Sequence, residues 1–156
     1  MINPEQLNDY SKKVYNYIVA NHNVSVGDFS LHPSDFGKNY LLMERKAPNR
    51  NLNSDLFLSS EDNMLTIGFH NYHCHFDKMR EQNFNEEIKT ALEYFNKILN
   101  DELMVVSAGG TTNLLTKEEI EVLESGQKFE KRDPDCISYR IYSWSGNYDR
   151  TSENLS

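Results

Sequence analysis

Basic residues are scarce in this chain, and their scarcity limits the classes of partner that the protein can bind. The chain has 16 Lys and Arg against 24 Asp and Glu, so its net charge is −8. Holding nucleic-acid phosphates requires a basic surface, and we therefore expect no nucleic-acid partner. The acidic excess is −4 over residues 51–100 and −5 over residues 101–156. Such a surface favours a basic protein partner, although net charge alone also keeps a protein soluble.

Cysteines and long apolar runs are also few. The two cysteines, Cys74 and Cys136, cannot form the disulfide framework that holds many small secreted proteins together. No apolar run approaches the ~20 residues of a membrane-spanning helix, and the first residues lack the basic start and apolar stretch of a signal peptide. We therefore expect a cytoplasmic protein with no membrane partner. A chain of 156 residues fits a single domain, 1–156.

Hydrophobic periodicity predicts an α+β fold. Apolar residues recur at helical spacing in an N-terminal helix and a long central helix, and a capping box at Thr116 and Glu119 marks a short third helix. Alternating apolar residues mark the strands. We expect one mostly antiparallel sheet of four to five strands, packed with these three helices. The predicted helices cover residues 3–20, 84–99 and 116–125, the predicted strands cover residues 40–44, 55–58, 64–69, 103–106 and 136–144, and residues 21–39 are predicted as a loop.

Three histidines, a cysteine and an acid stand close together in residues 70–77. Imidazole, thiol and carboxylate groups are the groups from which metal sites and acid–base catalysts are built. In a strand, alternate side chains share a face. His73, His75 and Asp77 are therefore expected to point together, with His70 on the other face.

A kink in the strand could gather all three histidines, or it could leave them exposed to solvent in a turn. The apolar positions change phase near residues 69–71, which predicts a bulge or the end of a strand. A metal-dependent hydrolase using His70, His73, His75 and Asp77 is therefore the alternative function. The sequence offers no further ligand set and no known zinc motif. We favour a hydrogen-bonded structural or interface cluster, with no catalytic residues, no metal and no cofactor.

Two further motifs are expected to be structural. Cys74 lies between His73 and His75, but sequence neighbours on a strand face opposite ways, so neither imidazole is placed to act as its base. A half-buried structural cysteine is the expectation. Residues 107–112 include Gly-Gly after a strand, yet they lack the Gly-Lys-Ser/Thr ending of a phosphate loop. They predict a hairpin or a connecting loop.

A second distinctive stretch, residues 140–150, is rich in aromatic and arginine side chains. Ile141 is expected to face the core, which places Arg140, Tyr142 and Trp144 together on the opposite face. Arginine and aromatic residues dominate binding hot spots, so an open face of this composition predicts a protein partner. The alternative is that a helix covers this face and makes Trp144 part of the core.

Three segments carry a resemblance to a known family. Residues 68–77 fit a strand-end pattern of the form G-F-x-x-Y-H-x-H-F-D, residues 91–107 form the helix and Val-Val-Ser strand that follow, and residues 142–149 form the closing segment. These segments resemble bacterial immunity proteins of contact-dependent growth inhibition and polymorphic toxin systems. The resemblance covers about half the chain, from Gly68 to Asp149 with gaps.

The resemblance implies a protein that binds one cognate toxin domain encoded nearby, in a one-to-one complex, and that performs no catalysis. The toxin is often a nuclease, and binding either plugs its active site or covers an adjacent surface. Acidic side chains could mimic the phosphates that a nuclease binds. An adaptor subunit for a non-toxin protein is a third possibility. The candidate toxin-binding residues are His73, His75, Asp77, Arg140, Tyr142, Trp144, Tyr148 and Asp149.

Overall fold

The predicted α+β class is confirmed by a computed structural model, which describes residues 2–21, 28–35, 37–76, 84–108, 110–126 and 138–153. These ranges form three α-helices and nine strands, and the strands make two antiparallel sheets in place of the single sheet expected. No helix in these ranges is long and apolar enough to cross a membrane. The elements are α1 (Asp9–Asn21), β1 (Phe29–His32), β2 (Tyr40–Arg45), β3 (Leu56–Ser59), β4 (Thr66–Phe69), β5 (Tyr72–His75), α2 (Phe84–Leu99), β6 (Met104–Ala108), β7 (Thr111–Leu115), α3 (Lys117–Glu124), β8 (Ser138–Tyr142) and β9 (Arg150–Glu153).

The chain divides into two compact units that interleave along the sequence. The first unit comprises Met1–Lys46, Asp55–Gly68 and His73–Phe95, and the second comprises Ala47–Ser54, Phe69–Tyr72 and Asn96–Ser156. The first holds α1 and most of the five-stranded sheet, and the second holds α3 and the four-stranded sheet. That residues 1–156 form one domain stays a prediction.

The first helix begins later than predicted. Asn3 caps only the 3-10 turn Pro4–Gln6, because the backbone of Leu7 is extended and bridges to that of Asn39. Asn8 then caps α1, since its side-chain oxygen accepts a backbone N–H of the first helical turn at 2.7 Å. A contact between residues distant in sequence therefore overrides a local start signal.

Polar side chains hold α1 in the first unit. The buried Ser60 hydroxyl lies 2.7 Å from the Ser11 hydroxyl and accepts the Leu41 N–H at 2.9 Å. The Tyr10 hydroxyl donates to Glu87 of α2 at 2.9 Å. Burial and then this hydrogen bond raise the pKa of Tyr10 well above its ordinary value. The inward face of α1 is therefore partly polar, which the predicted apolar stripe did not include.

The five-stranded sheet has the order β1-β2-β3-β4-β5. Alternate residues of its middle strands are buried, including Leu41 and Met43 of β2 and Leu56 and Leu58 of β3. This alternation is why the sequence predicted these strands within a residue or two. The loop predicted over residues 21–39 is wrong in part, because β1 lies inside it. One buried residue followed by three half-buried ones gives β1 no alternating pattern.

The four-stranded sheet has the order β7-β6-β8-β9, and α3 covers one of its faces. Thr116 and Glu119 form the predicted capping box at the start of α3. The predicted hairpin joins β6 to β7, with Ala108 opposite Thr111. Strands β7 and β9 were not predicted. The buried cluster of this unit consists of Met104, Val106, Leu115, Ile120, Leu123, Tyr139 and Ile141.

Gly68 of β4 offers a test of the packing in the first unit. It stands opposite Phe57, and a Cβ atom at Gly68 would overlap the Phe57 ring. We expect Gly68→Ala to lower the free energy of unfolding by about 1–3 kcal/mol, because the ring must move away. Urea denaturation measures the loss. Phe57→Ala is the control, and the double variant should lose less than the two single variants together. Additive losses would contradict this explanation.

Candidate functional site

The histidine-rich stretch turns tightly between β4 and β5, so the predicted change of phase marks the end of a strand. His70 has a φ of +56°, a left-handed conformation that histidine adopts more readily than most residues. Its Nδ1 accepts the Asn53 N–H at 3.0 Å, and its carbonyl accepts the Ser54 hydroxyl at 2.8 Å. The centroid of its ring lies 4.1 Å from that of Tyr142. His70 is therefore a hydrogen-bonded turn residue.

Burial determines the protonation of His70. The residue is only 8% exposed, and this burial lowers its pKa, while the negative charge of Asp149 opposes the shift. Because Nδ1 accepts a hydrogen bond, the neutral ring carries its proton on Nε2. Within the described ranges, Nε2 is buried without a hydrogen-bond partner. The site therefore suits a neutral imidazole.

The other two histidines of the stretch lie in the first unit, and both are exposed. The ring centroids of His73 and His75 are 5.2 Å apart, so the prediction that they share a face is confirmed. His75 Nδ1 lies 2.8 Å from the Thr66 hydroxyl, which orients the ring. Asp77, the third residue predicted on this face, lies outside the described residues.

The metal hypothesis gains no further ligand from the structure. Over the residues that the structure describes, no group of three or more His, Cys, Asp or Glu side chains is arranged to hold a metal ion. Cys74 is a half-buried free thiol, as predicted. Asp77 and Cys136 lie outside the described ranges. The metal-dependent hydrolase therefore stays a prediction.

Asp149 holds together a polar cluster in the second unit. Its carboxylate accepts hydrogen bonds from the Ser143 N–H at 2.8 Å and the Ser143 hydroxyl at 3.1 Å. It also accepts the side-chain amide of the buried Asn49 at 2.8 Å and that of Asn51 at 3.3 Å. Asn49 in turn donates to the Ser143 carbonyl at 2.8 Å. The carboxylate thus closes the 143–149 loop, and its oxygens are engaged within the protein.

Tyr148, another predicted contact residue, is also engaged internally. Its hydroxyl accepts a hydrogen bond from Lys117 Nζ at 2.9 Å, and the same ammonium lies 4.2 Å from the ring centroid. The hydrogen bond to Tyr148 raises the pKa of Lys117. The half-buried ring also packs against the apolar cluster of the second unit. Tyr148 therefore helps to attach the 143–149 loop to α3.

The predicted aromatic patch is half-buried. Tyr142 packs on His70, and the ring of Trp144 lies 6.0 Å from that of Phe69. Both aromatic residues keep part of their surface exposed. Arg140 is exposed, and none of the described acids forms an ion pair with it. Of the two predicted residues on β8, Arg140 is therefore exposed and Tyr142 is half-buried.

Arg140 borders a pocket on the face of the four-stranded sheet opposite α3. In the register of the sheet, Thr112 of β7 stands opposite Ser107 of β6, and Ser107 stands opposite Arg140 of β8. Side chains opposite each other share a face, so these three form a row across the sheet. The pocket has a volume of about 400 Å³ and is lined by Asn71, Ser107, Ala108, Gly110, Thr111, Thr112, Ser138 and Arg140. We call it the Arg140 pocket.

Of the candidate binding residues, only Arg140 lines this pocket, and residues 107–112, which supply most of the lining, were predicted only as a hairpin or a connecting loop. Arg140 was identified because it alternates with Ile141 along a strand. Ser107 was not connected to Arg140 because the sequence does not show which strands pair, and Thr112 was not connected because the polar strand β7 was not predicted. Asn49 was missed because a lone polar residue in a loop carries no periodic signal.

No family model, curated protein or solved structure matches the chain.

Replacing Asp149 tests its role in the loop. We expect Asp149→Ala to lower the free energy of unfolding by about 2–4 kcal/mol, because several partly buried donors lose a charged acceptor. Asp35→Ala, which removes an exposed carboxylate, is the matched control and should change stability little. Chemical denaturation measures both variants. Equal stability of the two would show that the cluster does not hold the loop.

The lowered pKa of His70 predicts a dependence of stability on pH. An unfolded histidine titrates near 6.5, and the folded His70 titrates below it. The unfolded chain therefore binds more protons in this window, so His70 stabilises the fold fully above pH 6.5 and progressively less as the pH falls below it.

We expect His70→Asn to lose less stability than the wild type between neutral pH and pH 5, a range in which the histidine titrates. Asparagine also tolerates the positive φ at this position. Thermal unfolding across this pH range is the measurement, and His73→Asn is the exposed control. Parallel pH curves for the wild type and His70→Asn would contradict the assignment.

Proposed function

We propose that this chain is a non-enzymatic immunity protein, which binds a secreted toxin domain in the bacterial cytoplasm and neutralises it in a one-to-one complex. The observation that carries the proposal is the exposed face of β8. Arg140 is presented there without an ion pair from any described residue, beside Tyr142 and the following Trp144, both half-buried. Arginine, tyrosine and tryptophan are the residues that dominate the energetics of protein interfaces.

The hairpin formed by β4 and β5, which contains most of residues 68–77, also supports the proposal. Its buried half, at His70, serves the fold through hydrogen bonds to Asn53 and Ser54. Its exposed half presents His73 and His75 as a pair of imidazole rings. Two exposed rings held next to each other can contact another protein surface, and such a contact involves no catalysis.

The acidic surface of α3 suggests a basic partner. Glu118 and Glu121 are exposed and lie three residues apart on one side of the helix. A hydrogen bond from its own backbone N–H and another from the Thr116 hydroxyl lower the pKa of Glu118, so it is charged at neutral pH. A nuclease binds the phosphates of its substrate with basic residues. Carboxylates on α3 could bind these basic residues of the nuclease in place of the phosphates.

The test is complex formation with the toxin domain encoded immediately upstream. We expect nanomolar binding by isothermal titration calorimetry, a one-to-one stoichiometry and loss of the toxin's activity. Loss that excess substrate relieves would indicate that the active site is plugged, and loss that it does not relieve would indicate binding at an adjacent surface. No detectable binding to that domain would refute the proposal.

A charge reversal at Arg140 tests where the toxin binds. We expect Arg140→Glu to raise the dissociation constant by about tenfold or more, because it places a carboxylate at a hot-spot position. Arg50→Glu, at an exposed arginine of the 47–54 loop, changes the net charge equally and should have a much smaller effect. Equal effects of the two variants would mean that only long-range charge is involved.

A further inference from the structure

Several hydrogen-bond donors of the Arg140 pocket have no acceptor among the residues that the structure describes. The hydroxyl of Ser107 is buried without a partner among the described residues. The Arg140 guanidinium carries several N–H donors and no acceptor, and no described residue accepts from them in the structure. The side-chain oxygen of Asn71 accepts from the Asn53 amide at 2.8 Å, and no described residue accepts from the Asn71 NH₂ group.

Two carbonyl acceptors of the same pocket already accept hydrogen bonds. The carbonyl of Ala108 accepts the Thr111 hydroxyl at 2.8 Å. The carbonyl of Asn71 accepts the Thr112 hydroxyl at 3.4 Å. No acidic side chain is among the described residues that line the pocket. Among the described lining residues, the pocket therefore has one positive charge, several donors and no negative charge.

We propose that the Arg140 pocket is a binding site for an oxyanion, a carboxylate or a phosphate group carried by a ligand. The planar guanidinium binds such groups through two parallel hydrogen bonds. The hydroxyl of Ser107 and the amide of Asn71 supply neutral donors to the remaining oxygen atoms. A volume of about 400 Å³ leaves room for more than the anionic group alone.

Two sources could supply this oxyanion. One is an acidic side chain of a protein partner, and the other is a free small molecule that carries a carboxylate or a phosphate. Both would use the same donors, so the anion itself can be tested without knowledge of the partner. A failure in that test is therefore separate from any failure to bind a toxin.

The experiment is an NMR titration of the whole protein with inorganic phosphate and, separately, with acetate, at an ionic strength held constant with chloride. We expect saturable shifts of the backbone amides of Ser107, Thr112 and Arg140, with a dissociation constant in the millimolar range. Arg140→Gln should weaken binding by about tenfold or more, because it removes the charged fork. Arg50→Gln should leave the shifts unchanged. Ser107→Ala, which should fold normally since its hydroxyl has no described partner, should weaken binding less.

The outcomes decide the proposal and its source. Shifts that do not saturate, or that are equally strong in Arg140→Gln, would overturn it. Saturation by phosphate much more strongly than by acetate would support the site and assign it to a phosphorylated molecule. Saturation by acetate that equals or exceeds saturation by phosphate would support the site and assign it to carboxylates. In that case, displacement of acetate by a peptide containing Asp or Glu, but not by the same peptide with Asn or Gln, would assign the site to an acidic side chain of a protein partner. Displacement by neither peptide would assign it to a free small molecule that carries a carboxylate.

Discussion

The second unit depends on the reversal of the chain at His70. The left-handed backbone at this residue places its imidazole inside the protein, where Nδ1 accepts the Asn53 N–H and the ring packs on Tyr142. Segments 47–54, 69–72 and 138–153 meet at this one side chain and at the neighbouring Asp149 cluster. Because burial lowers the pKa of His70, the ring is neutral when its Nδ1 accepts the Asn53 N–H. The same turn places Asn71 at the edge of the Arg140 pocket.

Residues with the same chemistry have different roles here because their burial differs. His70 has a lowered pKa and no access to solvent through Nε2, so it acts as a fixed acceptor. His73 and His75 are exposed and oriented toward each other. The sequence distinguished His70 from His73 and His75 only by whether their positions are even or odd along a strand, and the turn at His70 interrupts that alternation. Proximity in sequence is therefore a poor guide to a shared site when a turn lies between the residues.

The sequence predicted those elements whose patterns are strong, and it missed those that depend on neighbouring strands. The sixteen-residue helix α2 and the capping box of α3 carry local signals that tertiary structure does not override. Strands β1, β7 and β9 have only four or five residues each and are edge strands, so pairing with one neighbour defines them. Thr111, Thr112 and Asn113 of β7 carry no apolar alternation. The Arg140 pocket forms only when β7, β6 and β8 pair in register, and the sequence alone does not predict that pairing.

Charge and contact chemistry would contribute separately to recognition in the functions proposed here. The field of exposed carboxylates extends about 8–10 Å in salt, and it speeds encounter with any basic surface without selecting among them. Donors such as those of Arg140 and Ser107 act only at contact. A partner without an oxyanion at the right place would leave them desolvated and unpaired, which costs free energy. A surface that attracts many basic proteins could then still reject most of them, because rejection depends on a few donors rather than on net charge.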